Sequence, residues 1–357
     1  MNKRWLLLLA VLWGVPAVAD SYRNCAYDWP RPGTPPSRIV ALNQHAADLL
    51  LALEVGPALI GVAYLDDNGA AHRQGRYSGV PVIARQYPSS EVLYAQKPDL
   101  VVGGFATAFG SGITSRSGLA DNGVASYLLE SACADHSLDF FGHVRHDLLT
   151  LGALVGKQQR ARHLVDAMDA DLARIRSLTA EHKPLSVFYL DSEVNGLHSE
   201  GRLGFVSTLL AVAGAHNPFG EINQKRVTVS SETLLNSNPD VILLADAIWS
   251  PASRKRYLLS HDPVLSRLRA VRENRMIDIP FTHLVPTPAS AHVALKLTRT
   301  LQALACPAPS SRTTHAPDFA TCRPSTQRSN GRFALPIALY QCVGQFASEC
   351  QLGVTDN

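Results

Sequence analysis

The stretch Ser89–Val102, SSEVLYAQKPDLVV, recurs in closely similar form as Ser230–Leu243, SSETLLNSNPDVIL. Each copy has the features of a serine helix cap, a glutamate in the first helical turn, a short apolar helix, a Pro-Asp turn and a buried strand. Because the matching residues stand at the same offsets in both copies, the repeat predicts two lobes built on one plan.

Strands and helices alternate around both copies of this repeat, in units of about 20 to 30 residues, which is typical of parallel strands joined by helical crossovers. Between the two alternating regions, residues 156–182 carry apolar side chains three and four positions apart, among them Leu164, Met168 and Leu172, and the pattern ends before Pro184. The sequence therefore predicts an α/β fold of two lobes, with mostly parallel sheets flanked by helices, joined by one long α-helix.

The composition fits a two-domain protein: the chain has 357 residues, of which 46% are hydrophobic and 18% charged. The formal net charge of +3 falls to +1 without Lys3 and Arg4 of the predicted leader, so charge gives no indication of a nucleic-acid partner. The predicted divisions are a signal peptide at 1–19, an N-terminal arm at 20–37, an N-terminal α/β lobe at 38–143, a helical connector at 144–183, a C-terminal α/β lobe at 184–306 and an atypical tail at 307–357.

Residues 1–19 have the organisation of a secretory signal peptide, with a basic start, an apolar run over Trp5–Trp13, a break at Gly14 and an Ala-x-Ala motif ending at Ala19. A membrane anchor is the alternative interpretation, but it needs about 20 uninterrupted apolar residues. Cys25 does not directly follow the predicted cleavage site, so the sequence predicts a protein that is free in the oxidising periplasm.

Six cysteines remain after the predicted cleavage, and none forms a C-x-x-C motif: Cys25, Cys133, Cys306, Cys322, Cys342 and Cys350. The even number permits full pairing, but spacing alone does not determine the connectivity. The last three lie in residues 307–357, which are rich in Pro, Ser, Thr and Arg. For this tail we predict disorder or a small disulfide-tied appendage, with a functional module as the alternative.

The common catalytic and nucleotide-binding motifs are absent from the sequence. It contains no G-x-x-x-x-G-K-[ST], G-x-G-x-x-G, H-E-x-x-H or G-x-S-x-G motif. We therefore predict that the chain is not an enzyme and uses no cofactor. A hydrolase built on the same two-lobed frame stays as an alternative.

Aromatic residues, histidines and an arginine follow the predicted strands, at the positions beyond which open parallel sheets bind their ligands. These residues are His45, Tyr64, Phe105, Phe109, Arg202, Trp249 and His283. Aromatic rings supply contact area and a guanidinium supplies a forked donor, which suits a flat or metal-chelated, anionic organic ligand. The alternatives are ordinary ones: a hydrogen-bonded loop histidine, a packed ring or a surface arginine.

Glu91 and Glu232 occupy equivalent places in the two copies of the repeat. A glutamate behind a serine cap stabilises the first turn through the helix dipole by about 0.3 to 1 kcal/mol, which accounts for either residue alone. It does not explain why both lobes have the glutamate at the same place. The repeat therefore predicts two exposed carboxylates on corresponding surfaces of the lobes.

The sequence resembles the periplasmic substrate-binding proteins of ABC importers for iron-siderophores, haem and vitamin B12, the class whose lobes are joined by a single long helix. The resemblance covers roughly residues 22–305 and is carried by RIVALNQHAADLLLAL at 38–53, GVAYLDD at 61–67, PSSEVLYAQKPDLVVGG at 88–104 and VSSETLLNSNPDVILLAD at 229–246. The tail after Cys306 departs from the family pattern.

The resemblance implies a ligand between the lobes, and it implies that Glu91 and Glu232 dock on arginines of a membrane permease. It also implies a disulfide between Cys25 and Cys133, because some members of this class have one cysteine in an N-terminal arm and another after the fifth strand. The expected partners are an ABC permease with its ATPase in the inner membrane and a small-molecule metal chelate. The protein itself is expected to be a monomer.

We therefore predict a periplasmic solute-binding protein that captures a metal chelate, a ferric siderophore, and delivers it to an inner-membrane ABC permease. One alternative is direct binding of a metal ion such as zinc by His45, His198 or His283 together with nearby carboxylates. Further alternatives are a cobalamin or haem binder in the same framework and the hydrolase mentioned above.

Overall fold

The computed structural model describes residues 21–66, 75–110 and 112–305, so the predicted signal peptide and the predicted tail lie outside the described residues. The described strands are β1 (Ser21–Asn24), β2 (Tyr27–Pro30), β3 (Ile39–Ala41), β4 (Leu59–Ala63), β5 (Val82–Ala84), β6 (Leu100–Gly103), β7 (Ala125–Leu128), β8 (Leu185–Leu190), β9 (Leu197–Glu200), β10 (Ala215–His216), β11 (Arg226–Val229), β12 (Val241–Asp246) and β13 (Met276–Pro280). The described α-helices are α1 (Gln44–Ala52), α2 (Ser90–Ala95), α3 (Arg116–Asp121), α4 (Phe140–Leu154), α5 (Gln158–Thr179), α6 (Phe205–Val212), α7 (Ser231–Ser237), α8 (Ala252–His261), α9 (Arg269–Arg272) and α10 (Ser290–Ala305).

Two parallel sheets form the frame of the described chain. The first has the strand order β5-β4-β3-β6-β7 and the second the order β10-β8-β12-β13, and the neighbouring strands in both are parallel. Two antiparallel pairs, β1 with β2 and β9 with β11, lie outside these sheets. The predicted α/β fold with mostly parallel sheets and flanking helices is confirmed. Within the described ranges, the structure contains no helix with both the length and the apolar character that crossing a bilayer requires.

Alternate residues of the central strands face two different hydrophobic clusters. In β12, Val241 and Leu243 belong to a cluster that includes residues of α4, α5 and α10, whereas Ile242 and Leu244 pack in a cluster with residues of α7 and α8. This period of two explains why the strand reads as a continuous apolar run, since both of its faces are buried. Ile39 of β3 belongs to the first cluster too, so one core is shared by both sheets.

The two copies of the repeat begin with the same helix cap. The Ser89 hydroxyl accepts a hydrogen bond from the backbone N–H of Val92 at 3.3 Å, and the Ser230 hydroxyl accepts one from the N–H of Thr233 at 3.1 Å. Each cap satisfies one of the N–H groups that a helix leaves without an internal partner. The leucine four residues after each cap is fully buried and fixes the helix on its sheet.

The Pro-Asp part of each copy ties one strand of its sheet to another. Asp99 accepts a hydrogen bond from the N–H of Arg38 at 2.9 Å, and its own N–H donates to the Arg38 carbonyl at 2.9 Å. In the second sheet, Asp240 accepts from the N–H of Ser186 at 2.9 Å and donates to the Ser186 carbonyl at 2.8 Å. The aspartate thus sets the register of β6 beside β3 and of β12 beside β8.

The connector is the helix α5, which lies inside the range 156–182 that the apolar spacing predicts. Gly156, with φ of +71°, separates it from α4 in the left-handed conformation that favours glycine. Val165, Met168 and Ile175 are buried on one face of α5, which packs against α4 and α10. The helical region that begins before Val144 therefore consists of two helices, α4 and α5, which residues 155–157 separate.

The first part of the predicted N-terminal arm, residues 21–30, is a β-hairpin. Strands β1 and β2 pair in antiparallel register around Cys25 and Ala26, whose φ angles of +53° and +65° form the tight turn. Cys25 forms the disulfide with Cys133 that the resemblance implies, with the two Cα atoms 5.2 Å apart. The hairpin covers β7, the edge strand of the first sheet, where the Tyr22 hydroxyl hydrogen-bonds the carbonyl and the N–H of Ser126 at 2.5 and 3.2 Å.

Candidate functional site

The candidate site is built from the segments that follow the parallel strands, because such strands end at one edge of their sheet. In the first sheet these segments follow β3, β4, β5 and β6. In the second they follow β8, β12 and β13. The helices α2 and α7 end at the amino edges of the two sheets, so their first turns lie toward the edge where the strands end.

Two tyrosines lie together at the ends of β4 and β5. The rings of Tyr64 and Tyr87 meet edge to face with centroids 4.9 Å apart. The Tyr87 hydroxyl accepts a hydrogen bond from Asn43 Nδ2 at 3.1 Å and shares another with the Thr107 hydroxyl at 2.8 Å. Tyr64 has a φ of +51°, a strained conformation for an aromatic residue, and such strain is typical of functional sites.

The residues Asn43 and Tyr87 are functional candidates that the sequence did not single out. Asn43 Oδ1 accepts hydrogen bonds from the backbone N–H groups of Gly104 at 2.9 Å and Phe105 at 3.2 Å. Asn43 therefore joins the segment after β3 to the segment after β6 and also orients Tyr87. The one feature of the sequence that could have indicated Asn43 is its position shortly after the buried strand β3.

His45 lies beneath the segment after β6 and not in the open site. It is 3% exposed, and its ring centroid is 4.5 Å from that of Phe105. A Cβ at residue 104 would lie 2.2 Å from His45 Nε2, so only a glycine fits there. Burial lowers the pKa of His45 to about 4, against a smaller opposing effect of a backbone hydrogen bond with Gly104, and the imidazole is neutral at pH 7. In this structure, the buried ring of His45 packs against the ring of Phe105.

Phe109 does not lie beside His45 and Phe105. It ends the 3₁₀ turn Ala106–Phe109 and packs in the hydrophobic cluster on the other side of the first sheet. Its ring centroid is 5.9 Å from the guanidinium of Arg116. Phe105, which is half-buried, is thus the phenylalanine of the pair that lies beside His45.

The end of β12 carries a second aromatic pair. The ring of Trp249 meets that of Phe281, after β13, edge to face with centroids 4.8 Å apart. Trp249 is 47% exposed and its neighbour Ile248 is 57% exposed. The structure therefore brings Trp249 together with Phe281, which is not among the predicted ligand residues.

His283 is half-buried at the end of β13, in the 3₁₀ turn Phe281–His283. Burial lowers the pKa of His283, and the positive charges of Lys296 and Arg76 and the nearby His292 lower it further. Arg76 precedes β5 in the first lobe, whereas the other three residues belong to the second. Charges from both lobes therefore act on the His283 imidazole, although Arg76 also pairs with Asp48 at 3.6 Å.

Arg202 lies in a different place from Trp249 and His283. Its side chain is exposed and donates to Asn223 Oδ1 at 2.6 Å. It lines a groove of about 530 Å³, together with residues such as Leu138, Ser207 and Asn217. Of the predicted ligand residues that the structure describes, only Arg202 lines this groove.

Glu91 and Glu232 are exposed in the first turns of α2 and α7. Neither carboxylate has a hydrogen bond or an ion pair with another residue in the described part of the chain. Positive N-terminal ends of the two helices stabilise both charges. The structure thus presents two matching carboxylates, one on each lobe.

The histidines named for direct metal binding do not converge. His198 Nε2 is engaged with the Val194 carbonyl at 2.7 Å and its Nδ1 with the Thr228 hydroxyl at 3.1 Å. Within residues 21–66, 75–110 and 112–305, no three His, Cys, Asp or Glu side chains are placed to hold one metal ion.

Comparison with known sequences gives a family match and a relative. The model of the family described as "Periplasmic binding protein" matches residues 39–282. YvrC of Bacillus subtilis (strain 168), described as an uncharacterized ABC transporter substrate-binding lipoprotein, is 24% identical over 247 residues, which cover 68% of this chain and 73% of YvrC.

Two solved structures illustrate the shared fold. An ABC-type Fe³⁺-hydroxamate transport system from Saccharomonospora viridis has a TM-score of 0.65 at 24% identity, over 80% of this chain and 99% of that chain. The periplasmic haem-binding protein RhuT from Roseiflexus sp. RS-1, in its apo form, has a TM-score of 0.61 at 23% identity, over 76% of this chain and 99% of that chain. At these identities the likeness establishes the two-lobed fold and no ligand.

Proposed function

Because the chain belongs to the periplasmic binding protein family, we propose that it captures a metal chelate, a ferric siderophore, between its two lobes. It then delivers the chelate to the inner-membrane permease of an ABC importer, whose ATPase drives uptake. Members of this family are substrate-binding components and not enzymes, in agreement with the lack of catalytic motifs in the sequence.

The observation that carries the proposal is the aromatic surface at the strand ends of each lobe. Tyr64 and Tyr87 form it in the first lobe, and Trp249 and Phe281 form it in the second. Two such surfaces suit a ligand with a bulky organic framework. A bare metal ion needs three or four converging donors instead, and the described residues offer no such group.

The charge near His283 supports an anionic chelate. Arg76 from the first lobe and Lys296 from the second both act on this histidine. A carboxylate or catecholate group of a siderophore between the lobes gains from cations on both sides, since ion pairs strengthen as water is excluded.

Delivery is proposed to involve Glu91 and Glu232, which present one carboxylate per lobe to arginines of the permease. The shared hydrophobic core around α5 favours a small movement of the lobes on capture, because packed helices slide by small steps and do not hinge widely. The distance between the two carboxylates then stays similar with and without ligand.

The proposed location is the periplasm, without a lipid anchor. Cys25 is joined to Cys133 and has no free thiol for lipid attachment. A disulfide also fits an oxidising compartment. This distinguishes the chain from YvrC, which is described as a lipoprotein.

The proposal is tested by identifying the bound ligand. Protein purified from its own periplasm is analysed by native mass spectrometry and then titrated, with tryptophan fluorescence as readout, against ferrioxamine B, ferric enterobactin, haemin, cyanocobalamin and zinc chloride. We expect saturable quenching with one ferric siderophore at a ratio of one to one. Retention of stoichiometric zinc with no response to the organic chelates would establish direct metal binding instead.

Matched tryptophan variants locate the response. Trp29 and Trp249 are the tryptophans outside the predicted signal peptide. Quenching should survive in Trp29→Phe and be largely lost in Trp249→Phe, because Trp249 lies at the strand ends and Trp29 lies in the arm. The reverse result would place the ligand away from the proposed site.

A further inference from the structure

The turn that follows β12 presents two apolar side chains to solvent. Ala247 and Ser250 face each other across an isolated antiparallel bridge, with the Ser250 N–H donating to the Ala247 carbonyl at 3.1 Å. Ile248 and Trp249 therefore form the tip of a four-residue turn. An exposed apolar tip of this kind is typical of a contact surface.

A buried lysine lies directly beneath this turn. Lys255 of α8 is 0% exposed, and its Nζ donates to the Ser250 carbonyl at 2.6 Å and also to the Ala245 carbonyl. The Ala245 carbonyl belongs to the penultimate residue of β12, and the Ser250 carbonyl belongs to the last residue of the turn. A single ammonium group, which has three donors and no acceptor, thus closes the base of the turn.

Acidic groups compensate the buried charge and reach the same turn. Glu193 accepts a hydrogen bond from the Ser250 hydroxyl at 2.5 Å and pairs with Arg254 at 2.7 Å. Burial lowers the pKa of Lys255, and Glu193 and then Asp191 act in the opposite direction. If packing were the only requirement, an apolar side chain would fill this site without the desolvation of a charge.

The base of the turn is held from a second side too. Asp246 Oδ1 accepts a hydrogen bond from the N–H of Ala252 at 2.9 Å, which joins the end of β12 to the start of α8. Phe281 braces the ring of Trp249 from the neighbouring strand end. Lys255 joins the two sides of this base, because it binds a carbonyl of β12 before the turn and the carbonyl of Ser250 at the end of the turn.

We propose that Lys255 is a positioning residue of the ligand site, which holds the turn at residues 247–250 so that Ile248 and Trp249 form a preformed apolar contact. This rests on the proposed function, in which Trp249 lies against the chelate. A preformed contact raises affinity because binding does not have to order it. Lys255 acts through Trp249 and is not itself in contact with the ligand.

The first test needs no ligand. In a Trp29→Phe background, Trp249 is the tryptophan outside the predicted signal peptide, and its acrylamide quenching and fluorescence anisotropy report the mobility of the turn. Lys255→Met, which keeps the length of the side chain and removes its donors, should raise the quenching constant and lower the anisotropy. Both changes follow from release of the two carbonyls.

The matched control is Arg256→Met on the same helix. Arg256 donates to Asp278 at 2.8 Å and to the Met276 carbonyl at 2.9 Å, so it ties α8 to β13 without touching the turn. Its loss should lower the unfolding midpoint and leave the quenching of Trp249 unchanged. A purely structural role of Lys255 would give this same result for Lys255→Met, and that result would overturn the proposal.

The second test measures affinity for ferrioxamine B and ferric enterobactin. Lys255→Met should weaken binding of the siderophore that the parent binds by roughly tenfold, and Arg256→Met by less than about twofold. If the parent binds neither probe, the proposed function fails while the quenching experiment still decides the role of Lys255. If Lys255→Met does not fold, Lys255→Gln, which keeps an amide donor, should show the same changes in smaller measure, and unchanged quenching there would overturn the proposal.

Discussion

The side-chain amide of Asn24 pairs with both backbone groups of Leu128, with Nδ2 donating to the carbonyl at 2.8 Å and Oδ1 accepting from the N–H at 2.9 Å. Asn24 is fully buried, and Leu128 ends the edge strand β7. One side chain thus takes the place of a neighbouring strand. The arm therefore satisfies backbone groups that the edge of the sheet would otherwise leave open.

Substitution of Asn24 by Ala should lower the free energy of unfolding by about 1 to 3 kcal/mol, because the two Leu128 groups stay buried and lose their partner. The measurement is urea unfolding of the oxidised protein. Tyr27→Ala, an exposed position on the same hairpin, is the control and should change stability by less than about 0.5 kcal/mol. Equal effects of the two variants would contradict the role assigned to Asn24.

Removal of the disulfide should destabilise the protein through the unfolded state. Cys25 and Cys133 are 108 residues apart in sequence, and closure of so long a loop typically contributes about 2 to 5 kcal/mol. The double variant Cys25→Ala/Cys133→Ala should lose stability in this range in urea unfolding. As a control, each variant is also measured under reducing conditions, where the parent should approach the double variant. A double variant as stable as the oxidised parent would contradict the prediction.

The repeat could be predicted from sequence because its contacts are local or fall at fixed offsets. Ser89 and Ser230 cap the helices that immediately follow them, and Asp99 and Asp240 stand directly before the strands that they align. Propensity and spacing are sufficient for such contacts.

The hairpin of the arm could not be predicted in this way. Its turn is Cys25-Ala26, and both residues have positive φ, a conformation that sequences usually mark with Gly, Asn or Asp. Contacts far away in sequence hold it instead, namely the disulfide to Cys133 and the pairing of Asn24 with Leu128. No window of the sequence contains both sides of these contacts.

The candidate site divides along the same line. Tyr64 and Trp249 could be predicted as candidates because they follow strands, and strand ends are where such sheets bind ligands. Tyr87 and Lys255 could not, because their roles depend on Asn43 and on backbone carbonyls that only the folded chain brings near. The position of a residue after a strand does not reveal how deeply its side chain is buried. The burial of His45 is therefore apparent only in the structure.

A pH dependence of stability should arise from Glu200, the last residue of β9, whose carboxylate contacts the first turn of α6. Its Oε2 accepts a hydrogen bond from the N–H of Val206 at 2.7 Å, and burial, the largest cause, raises its pKa from 4.5 to about 7. Between these pH values the folded protein keeps a proton that the unfolded chain has released. Stability should therefore fall as pH rises through this window, with a slope of at most about 1.4 kcal/mol per pH unit.

Glu200→Gln tests this dependence, since the amide keeps an acceptor for Val206 and does not ionise. Urea unfolding between pH 4.5 and 7 should show a smaller decline in the variant than in the parent, and the variant should be the more stable protein above pH 7. Glu181→Gln, at an exposed position two residues after the end of α5, should follow the parent. Parallel curves for Glu200→Gln and the parent would disprove the assignment.

The double variant Glu91→Ala/Glu232→Ala should abolish uptake of the chelate and leave its affinity for the purified protein unchanged. Neither carboxylate has a hydrogen bond or an ion pair with a described residue, so the fold loses mainly the helix-dipole contribution, about 0.3 to 1 kcal/mol per site. Uptake of iron-55 chelate by cells and fluorescence titration of the protein measure the two quantities separately. Substitution of both glutamates by Lys should reduce uptake at least as strongly as substitution by Ala, because the lysines would repel the arginines of the permease. Glu181→Ala is the control and should transport normally, whereas normal transport by the double variant would show that these two glutamates do not dock the permease.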